Sequence, residues 1–326
     1  MNKIPLIIGP SLHLHGVGGV TIHVQRLRDF LENNHYCFQF KDYKTNSFFS
    51  LLCEIKKSQV IHFHVSNPFY LFILVLSAKI LRKTVLLTLH GNYGRFGWFK
   101  NLLVRNAICM ATVPIVINEM SFQSCRSINI HTRLIPAFIP PQKDEGLQKE
   151  IVDLCARIHG EEKKIAATNA SNTAFDKVGN DIYGIDFLVE YFKENTNMCL
   201  IVSDPTGNYK KRFSDINSES VYFIDCPHSF YELLKHVDFF IRNTSTDGDA
   251  ISVKEALYLG VPTLCSDVVD RPKGVKLFTY SHRKSFEKCL MGDFEGNYNI
   301  ENGADAILRL YQDFSPITTS NHSCGN

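Results

Sequence analysis

Short apolar runs alternate with longer amphipathic segments along the first 140 residues. The apolar runs predict buried strands at 5–8, 60–64, 85–89, 115–117 and 132–135. The segments between them predict helices at 21–33, 69–81 and 97–110. Nearly all-apolar strands separated by helices are typical of a parallel sheet covered on both faces, so an α/β domain is expected. The proline-rich stretch 136–141 ends the pattern and predicts a first domain over 1–140.

The same alternation returns in the second half without a sequence repeat. Strands are predicted at 164–168, 199–202, 221–224, 239–242 and 263–266, and helices at 186–195, 229–236, 252–259 and 300–314. Ser229 and Glu232 have the spacing of a capping box, which marks a helix start. We therefore expect a second α/β domain over 141–314, followed by a polar tail over 315–326.

Charge and composition exclude several classes of protein. The formal net charge is +2, which gives no support to dedicated nucleic-acid binding. The longest apolar stretch, 68–81, is shorter than the about 20 residues that cross a bilayer. The ten cysteines form no C-x-x-C pair, so reduced thiols and a cytoplasmic location are expected.

The segment 242–262 carries the strongest chemical signal. A predicted strand ends at Arg242, a polar loop follows, and a helix is expected to begin around Ser252. The free N–H groups and dipole of a helix start form a site for an anion such as a diphosphate. Asp247 and Glu255 lie in the loop and the first helical turn, where carboxylates can accept hydrogen bonds from sugar hydroxyls.

This segment resembles the E-x7-E region of retaining glycosyltransferases with the GT-B fold, in particular glycosyltransferase family 4. The resemblance implies two doubly wound, Rossmann-like domains that face a central cleft. It also implies that Asp247 contacts the donor sugar and that Glu255 holds the nucleotide ribose. The other donor-binding residues implied by this loop and helix start are Thr244, Gly248, Asp249, Ala250, Ile251 and Ser252.

Two other interpretations of the same residues remain open. Ser252 and Glu255 have the spacing of a capping box, so Glu255 could serve only the helix start. Asp247 and Asp249 form a D-x-D pair, which binds a metal ion in another glycosyltransferase fold. Because the helix start already supplies a positive field, we expect no metal ion and no cofactor here.

Two segments of the first half resemble the same family. The glycine-rich turn with Gly18 and Gly19 follows the first strand, and it is similar to the family loop that lines the cleft opposite the donor phosphates. His90 follows a buried strand, and it is similar to the family histidine that contacts the donor sugar near the reacting centre. His62 and His64 alternate on a strand and are expected to pack or to line the cleft.

The sequence departs from the family where two diphosphate-binding cations are expected. The first position reads Thr168-Asn169-Ala170-Ser171, where Asn169 is the candidate contact, and the second has Tyr183 before a glycine. Lys177, Arg242 and Lys254 are the candidate replacements, and Arg242 is best placed because it ends a strand.

The resemblance implies a hexosyltransferase that uses a UDP- or GDP-sugar in the synthesis of bacterial surface polysaccharide or lipopolysaccharide. The acceptor would be a glycan or a lipid-linked saccharide, reached on the cytoplasmic side. The segment 96–105 mixes aromatic and basic residues, so it either lies on an anionic membrane surface or packs on the sheet. A nucleotide-sugar epimerase on the same fold and a catalytically silent donor-binding subunit are the alternatives.

Overall fold

The computed structural model describes residues 4–12, 18–176, 179–195, 197–216, 218–247, 250–294 and 300–314. These residues form two compact units, the first made of residues up to 142 together with those from 301, the second made of residues 143 to 300. Each unit has one six-stranded parallel sheet with helices packed against it.

The first unit is built around a sheet with the strand order β2-β1-β3-β4-β5-β6. Its strands are β1 (Leu6–Gly9), β2 (Gln39–Asp42), β3 (Val60–Phe63), β4 (Thr84–Leu89), β5 (Val113–Val116) and β6 (Arg133–Leu134). Its helices are α1 (Gly19–Asn33), α2 (Phe48–Lys57), α3 (Pro68–Ile80), α4 (Trp98–Met110), α5 (Glu119–Arg126) and, from the end of the chain, α12 (Gly303–Phe314). The strands β1, β3 and β5 are wholly buried, as their apolar sequences predict.

The second unit has the strand order β12-β11-β10-β7-β8-β9. Its strands are β7 (Lys164–Asn169), β8 (Met198–Ser203), β9 (Val221–Ile224), β10 (Phe239–Arg242), β11 (Thr263–Ser266) and β12 (Lys276–Phe278). Its helices are α6 (Lys149–Gly160), α7 (Ile185–Lys193), α8 (Asn208–Arg212), α9 (Phe230–Leu234), α10 (Ile251–Tyr258) and α11 (Arg283–Leu290). At the start of α9 the side chain of Ser229 accepts a hydrogen bond from the Glu232 backbone N–H, which confirms the predicted helix start.

The last helix lies in the first unit, which corrects its assignment to the second domain. Ala304, Ile307 and Tyr311 of α12 are buried in a cluster with residues of the first sheet and of α1. The backbone N–H of Gly303 donates to the Phe138 carbonyl at 2.9 Å. A Cβ at position 303 would lie 1.9 Å from the Pro136 carbonyl oxygen, so this close approach requires glycine. The tail 315–326 lies outside the described residues.

Two further expectations can be compared with the structure. Eight cysteines of the described part are free thiols, but Cys37 is disulfide-bonded, so the expectation of reduced thiols is wrong for it. Among the described helices, none combines the length and the apolar character that a membrane span requires.

Candidate functional site

Three neighbouring strands of the second sheet end in polar residues at the same edge. Asn169 ends β7, Arg242 ends β10 and Ser266 ends β11, and β10 pairs with both of the others. The carboxyl ends of parallel strands form the ligand-binding edge of doubly wound sheets. The structure therefore brings Asn169 and Arg242 together, as the strand-end argument predicts.

Asp247 lies between two arginines beside these strand ends. Arg242 donates to its carboxylate from Nε at 3.1 Å and from Nη2 at 3.3 Å, and Arg271 donates from Nη1 at 2.8 Å. The side chains of Arg242, Asp247 and Arg271 are 11%, 8% and 3% exposed. Two guanidinium charges against one carboxylate leave this Arg–Asp–Arg cluster with a net charge of +1.

The two arginines of the cluster keep the Asp247 carboxyl group ionised. Burial alone would raise the pKa of Asp247, but the two guanidiniums outweigh it and hold the pKa below the ordinary value. Burial would likewise lower the pKa of Arg242, whereas the Asp247 carboxylate raises it above the ordinary value. Asp247 is therefore an anion near neutral pH and a poor proton acceptor.

The Arg242 guanidinium contacts Asp247, Asn169 and Tyr183. Besides its bonds to Asp247, its Nη1 donates to the backbone and side-chain oxygens of Asn169 at 3.0 and 3.1 Å. The ring of Tyr183 lies 5.2 Å from the guanidinium carbon. Tyr183, at the position where the sequence resemblance implies a cation, contacts Arg242. These contacts occupy much of the hydrogen-bonding capacity of the guanidinium.

The loop before α10 is held by Thr244 and Arg271. Thr244 is buried, its backbone N–H donates to the Ser266 hydroxyl, and its own hydroxyl accepts from Arg271 Nη2 at 3.3 Å. Arg271 was missed in the sequence analysis. It lies five residues beyond Ser266, so the strand-end argument applied to β11 was the signal that could have found it.

Helix α10 begins one residue earlier than predicted, and no capping box forms. Its N-cap is Ala250, which has no side-chain hydrogen bond to the helix, and Ile251 is the first helical residue. Ser252 is therefore inside the helix and Glu255 is beyond the first turn, so the capping interpretation of Ser252 and Glu255 is wrong. Both side chains are buried, with Glu255 3% exposed. The predicted site residues Lys177, Gly248 and Asp249 lie outside the described residues.

The remaining predicted site residues lie in the first unit. Gly18 is the N-cap of α1 with extended backbone, and Gly19 is the first helical residue. A Cβ at Gly18 would meet no atom within 4 Å, so neither packing nor backbone conformation requires glycine there. His90 follows β4, and it lines a cavity of about 30 Å³ that Gly91, Asn92 and Phe96 also line.

His90 contacts a second histidine that the sequence analysis left without a chemical role. Its Nε2 lies 2.8 Å from Nδ1 of His64, which follows β3. Burial is the main cause that lowers the pKa of both imidazoles well below the ordinary value. Both rings are therefore neutral near pH 7.

Comparisons with known proteins show the fold. No family model matches the chain, and no curated protein matches its sequence. A glycosyltransferase from Rickettsia africae superposes with a TM-score of 0.68 at 11% identity, over 98% of this chain and 100% of that chain. HepE from Anabaena, in complex with UDP-glucose, gives 0.65 at 12% identity, over 88% and 90% of the two chains. The UDP-GlcNAc 2-epimerase of Methanocaldococcus jannaschii gives 0.64 at 12% identity, over 95% and 100%. The chain has the two-domain, Rossmann-like GT-B fold.

Proposed function

We propose that this protein is a retaining glycosyltransferase. It moves a hexose from a nucleotide diphosphate sugar to a hydroxyl of a glycan or lipid-linked saccharide in bacterial surface polysaccharide synthesis. The observation that carries the proposal is the Arg–Asp–Arg cluster, which lies at the ligand-binding edge of the second sheet in a GT-B fold. Helix α10 begins a few residues after Asp247, and its N-cap Ala250 has no side-chain hydrogen bond to the helix. The first N–H groups of a helix lack partners in the regular helical pattern, so they can serve an anion.

The positive charge of this region would stabilise the leaving diphosphate. As the bond between the sugar carbon C1 and the diphosphate oxygen breaks, negative charge grows on that oxygen. Fixed dipoles and charges aimed at developing charge lower a barrier without reorganisation during the reaction. The helix start of α10 and the net charge of +1 on the cluster provide this field, so we propose that transfer needs no metal ion.

The retaining step that we propose requires no proton transfer to Asp247. The acceptor hydroxyl attacks C1 from the face that the diphosphate leaves, and its proton passes to the departing phosphate oxygen. Asp247 orients the donor sugar and takes no proton, because the guanidiniums of Arg242 and Arg271 hold its pKa low. An epimerase would need a group that accepts a proton at the sugar, and Asp247 is poorly suited to that task. His90 would contact the donor sugar, and Glu255 the ribose.

The first donor to test is a UDP-sugar, since HepE is similar in fold and was solved with UDP-glucose. Purified protein is heated with UDP-, GDP- and dTDP-sugars, and a donor at about 100 times its dissociation constant should add about 2.7 kcal/mol of stability. The stabilising donor is then incubated with saccharide and lipid-linked acceptors in EDTA, and the anomeric configuration of the product is read by NMR.

Each outcome of this experiment has a consequence. We expect a product with the donor's configuration to form in EDTA. Release of a free sugar epimer without an acceptor would replace transfer by epimerisation, and donor binding without turnover would indicate a silent subunit. Activity that EDTA abolishes and manganese restores would overturn metal-independent transfer.

The ribose role of Glu255 can be tested by Glu255→Gln. A carboxylate offers two acceptor oxygens to two ribose hydroxyls, whereas the amide replaces one acceptor with a donor. Losing a charged hydrogen bond costs about 1.5–3 kcal/mol, so the dissociation constant for the nucleotide diphosphate should rise at least about tenfold. Glu232→Gln, at another buried glutamate of the same unit, is the control and should leave binding unchanged. Unchanged binding by Glu255→Gln would remove the ribose role.

We also propose that the first unit contacts an anionic membrane surface through α3 and α4. Phe69, Ile73, Leu76 and Ile80 form one exposed stripe along α3, and Trp98, Phe99 and Leu102 are exposed on α4. The rings of Phe69 and Phe99 lie 5.7 Å apart, so the two sets join into one apolar face. The exposed cations Lys79, Arg82, Lys100 and Arg105 lie on or beside these helices, a combination that suits anionic headgroups.

Sedimentation with lipid vesicles tests this contact. The protein should bind vesicles that contain phosphatidylglycerol and should bind phosphatidylcholine vesicles much less. Trp98→Ser combined with Ile80→Ser should reduce binding, whereas Met291→Ser, at an exposed residue of the second unit, should not. Equal binding by both variants would leave this face without a lipid-binding role.

A further inference from the structure

Three histidines of the first unit converge from three different elements. His23 lies on α1, His64 directly follows β3, and His90 directly follows β4. One ring nitrogen from each lies within 4.8 Å of a ring nitrogen of both others. Gly9 at the end of β1 allows this approach, because a Cβ there would lie 3.0 Å from Val24 on α1 and 3.2 Å from the His64 Cβ.

The hydrogen bonds leave two buried ring nitrogens of this cluster without a partner. His23 Nδ1 lies 2.7 Å from the Ala137 carbonyl, which can only accept, so Nδ1 carries the proton and Nε2 carries a lone pair. His23 Nε2 and His64 Nε2 are both buried and have no hydrogen-bond partner in the described structure. Because buried polar atoms are nearly always satisfied, two such atoms in one cluster need an explanation.

The neighbouring His62 provides the contrast within the same sheet. It is also fully buried, and its ring centroid lies 4.1 Å from that of His64. However, its Nδ1 pairs with the Tyr311 hydroxyl at 2.6 Å, and its Nε2 pairs with the Thr88 hydroxyl at 2.7 Å. Burial of imidazole in this protein therefore does not by itself leave ring nitrogens unsatisfied.

We propose that His23, His64 and His90 bind one divalent transition-metal ion of the zinc class. Three imidazoles that share a tetrahedral zinc ion at about 2.0–2.1 Å have ring centroids about 5 Å apart. The observed centroid separations are 5.3 Å for His23 and His64, 4.8 Å for His23 and His90, and 5.1 Å for His64 and His90. The rings already have the spacing that a shared ion requires.

The surroundings of the three rings also suit a metal ion. The bond from His23 Nδ1 to the Ala137 carbonyl is the kind of second interaction that orients a metal-binding imidazole. The same bond keeps the proton on Nδ1, so the Nε2 lone pair is available to an ion.

The distances between ring nitrogens must change when the ion binds, because a tetrahedral zinc site needs about 3.3 Å between each pair and the three nitrogens now lie within 4.8 Å of one another. His64 Nδ1 and His90 Nε2 are 2.8 Å apart. If these two atoms are the ligands, their separation in a tetrahedral zinc site is about 3.3 Å, and the ion gives a partner to His23 Nε2 but not to His64 Nε2. The ion then replaces the hydrogen bond between the two histidines. This inference does not depend on glycosyl transfer, and it assigns the ion no part in the transfer step.

Metal binding by the full-length protein tests the inference in the absence of any nucleotide. Zn²⁺ titration by calorimetry in a non-chelating buffer should give one site per chain. Co²⁺ should give visible absorption bands of a four- or five-coordinate ion without the near-ultraviolet band of a cobalt–thiolate bond. Failure to find saturable binding up to about 100 µM metal would overturn the proposal. A Co²⁺ spectrum that shows the cobalt–thiolate band would also overturn the proposal, because exposed cysteines such as Cys53 would then be the ligands.

Variants separate this cluster from adventitious binding. His23→Gln and His64→Gln should each weaken Zn²⁺ binding at least about tenfold, since loss of even an outer-shell partner costs 10–100-fold in affinity. His62→Gln is the matched buried control, and His131→Gln is an exposed control of the same unit in case the buried one unfolds. Both controls should bind like the unchanged protein. Normal binding by a folded His23→Gln or His64→Gln protein would overturn the proposal.

Discussion

At the scale of single residues, Asp247 is the most consequential side chain of the second unit. Its carboxylate separates two guanidiniums that are 11% and 3% exposed. Removing one partner of a buried ion pair costs about 3–5 kcal/mol, because the remaining charge is left uncompensated. Asp247→Asn should therefore lower the free energy of unfolding by about 3 kcal/mol or more, measured by urea titration without ligand.

The control for this prediction is an exposed ion pair of the same unit. Asp225 pairs with Lys210 at 2.8 Å, and both side chains are largely exposed. Surface pairs contribute about 0–1 kcal/mol, so Asp225→Asn should change stability by less than about 1 kcal/mol. If Asp247→Asn proved as mild as the control, the guanidiniums would not depend on its charge, and its role would lie with the ligand alone.

Four imidazoles of the first unit, three buried and one partly buried (His90), make stability depend on pH. Burial lowers the pKa of His23 to about 4 and of His62 to about 3, and it lowers those of His64 and His90 well below the ordinary value. The unfolded chain binds these protons near pH 6.5, so between about pH 6.5 and 4 it holds more protons than the native state. The native state is therefore most stable above pH 6.5 and loses stability as the pH falls through this window.

Thermal unfolding in EDTA at successive pH values checks this dependence. Each excluded proton contributes up to about 1.4 kcal/mol per pH unit, so the melting temperature should fall steeply from pH 6 to pH 4. His64→Gln should flatten the slope, and His131→Gln, which removes an exposed imidazole, should not. A slope that is the same in both variants would place the pH dependence in other groups.

At the scale of elements, the start of α10 can be tested as an anion site. Its N-cap is Ala250, whose methyl side chain cannot accept a hydrogen bond from the first N–H groups of the helix. An aspartate in that position should stabilise the ligand-free protein by about 0.5–2 kcal/mol, because it caps the helix. The same carboxylate would repel a bound diphosphate. Ala250→Asp should thus raise the melting temperature and weaken UDP binding at least about tenfold.

Gly97→Asp provides the matched control, since Gly97 is the N-cap of α4 in the first unit and a Cβ there meets no atom within 4 Å. It should stabilise the protein by a few tenths of a kcal/mol and leave UDP binding unchanged. UDP affinity that survives Ala250→Asp would place the diphosphate away from the start of α10.

The elements that could be predicted from the sequence are those with a strong apolar pattern. Strands such as β1 and β8 read as nearly continuous apolar runs because helices cover both of their faces. The short strand β2 and helices such as α2 and α5 were not predicted. Strand β2 reads Gln39-Phe40-Lys41-Asp42, is partly exposed and lies at the sheet edge, so its mixed composition gives no clear signal. Helix α12 was predicted, but it was assigned to the wrong unit, because its position depends on packing against residues that are distant in the sequence.

Residues of the candidate site could be predicted only where their position at the end of a strand places them at the ligand-binding edge of the sheet. Arg242 and Asp247 follow from the end of β10, but their pairing with Arg271 depends on how β11 and its following loop lie beside them. The histidine cluster shows the same limit more strongly. Its members are separated by dozens of residues, and their approach depends on the packing of α1 against the sheet beside Gly9.

At the scale of the whole molecule, the two units differ in how the chain builds them. The second unit is one continuous segment with its own buried clusters, around residues such as Leu200 and Leu233. The first unit needs both ends of the described chain. Tyr311 of α12 is fully buried there, its ring stacks on that of Tyr36 at 5.9 Å, and its hydroxyl pairs with buried His62.

This difference predicts unequal behaviour of fragments. Residues 143–300 alone should unfold in one cooperative transition in urea, followed by far-ultraviolet circular dichroism. Residues 1–142 alone should not, because removing α12 exposes the cluster around Ile135 and leaves His62 Nδ1 without its partner. Joining residues 301–314 to residue 142 through a flexible glycine–serine linker should restore a cooperative transition.

A variant of this linked fragment tests the part played by α12. The linked fragment with Tyr311→Ala should not unfold cooperatively, because that truncation removes a fully buried aromatic side chain at a cost of about 3–5 kcal/mol. Cooperative unfolding of 1–142 with the midpoint of the linked fragment would mean that α12 only covers a unit that is stable without it.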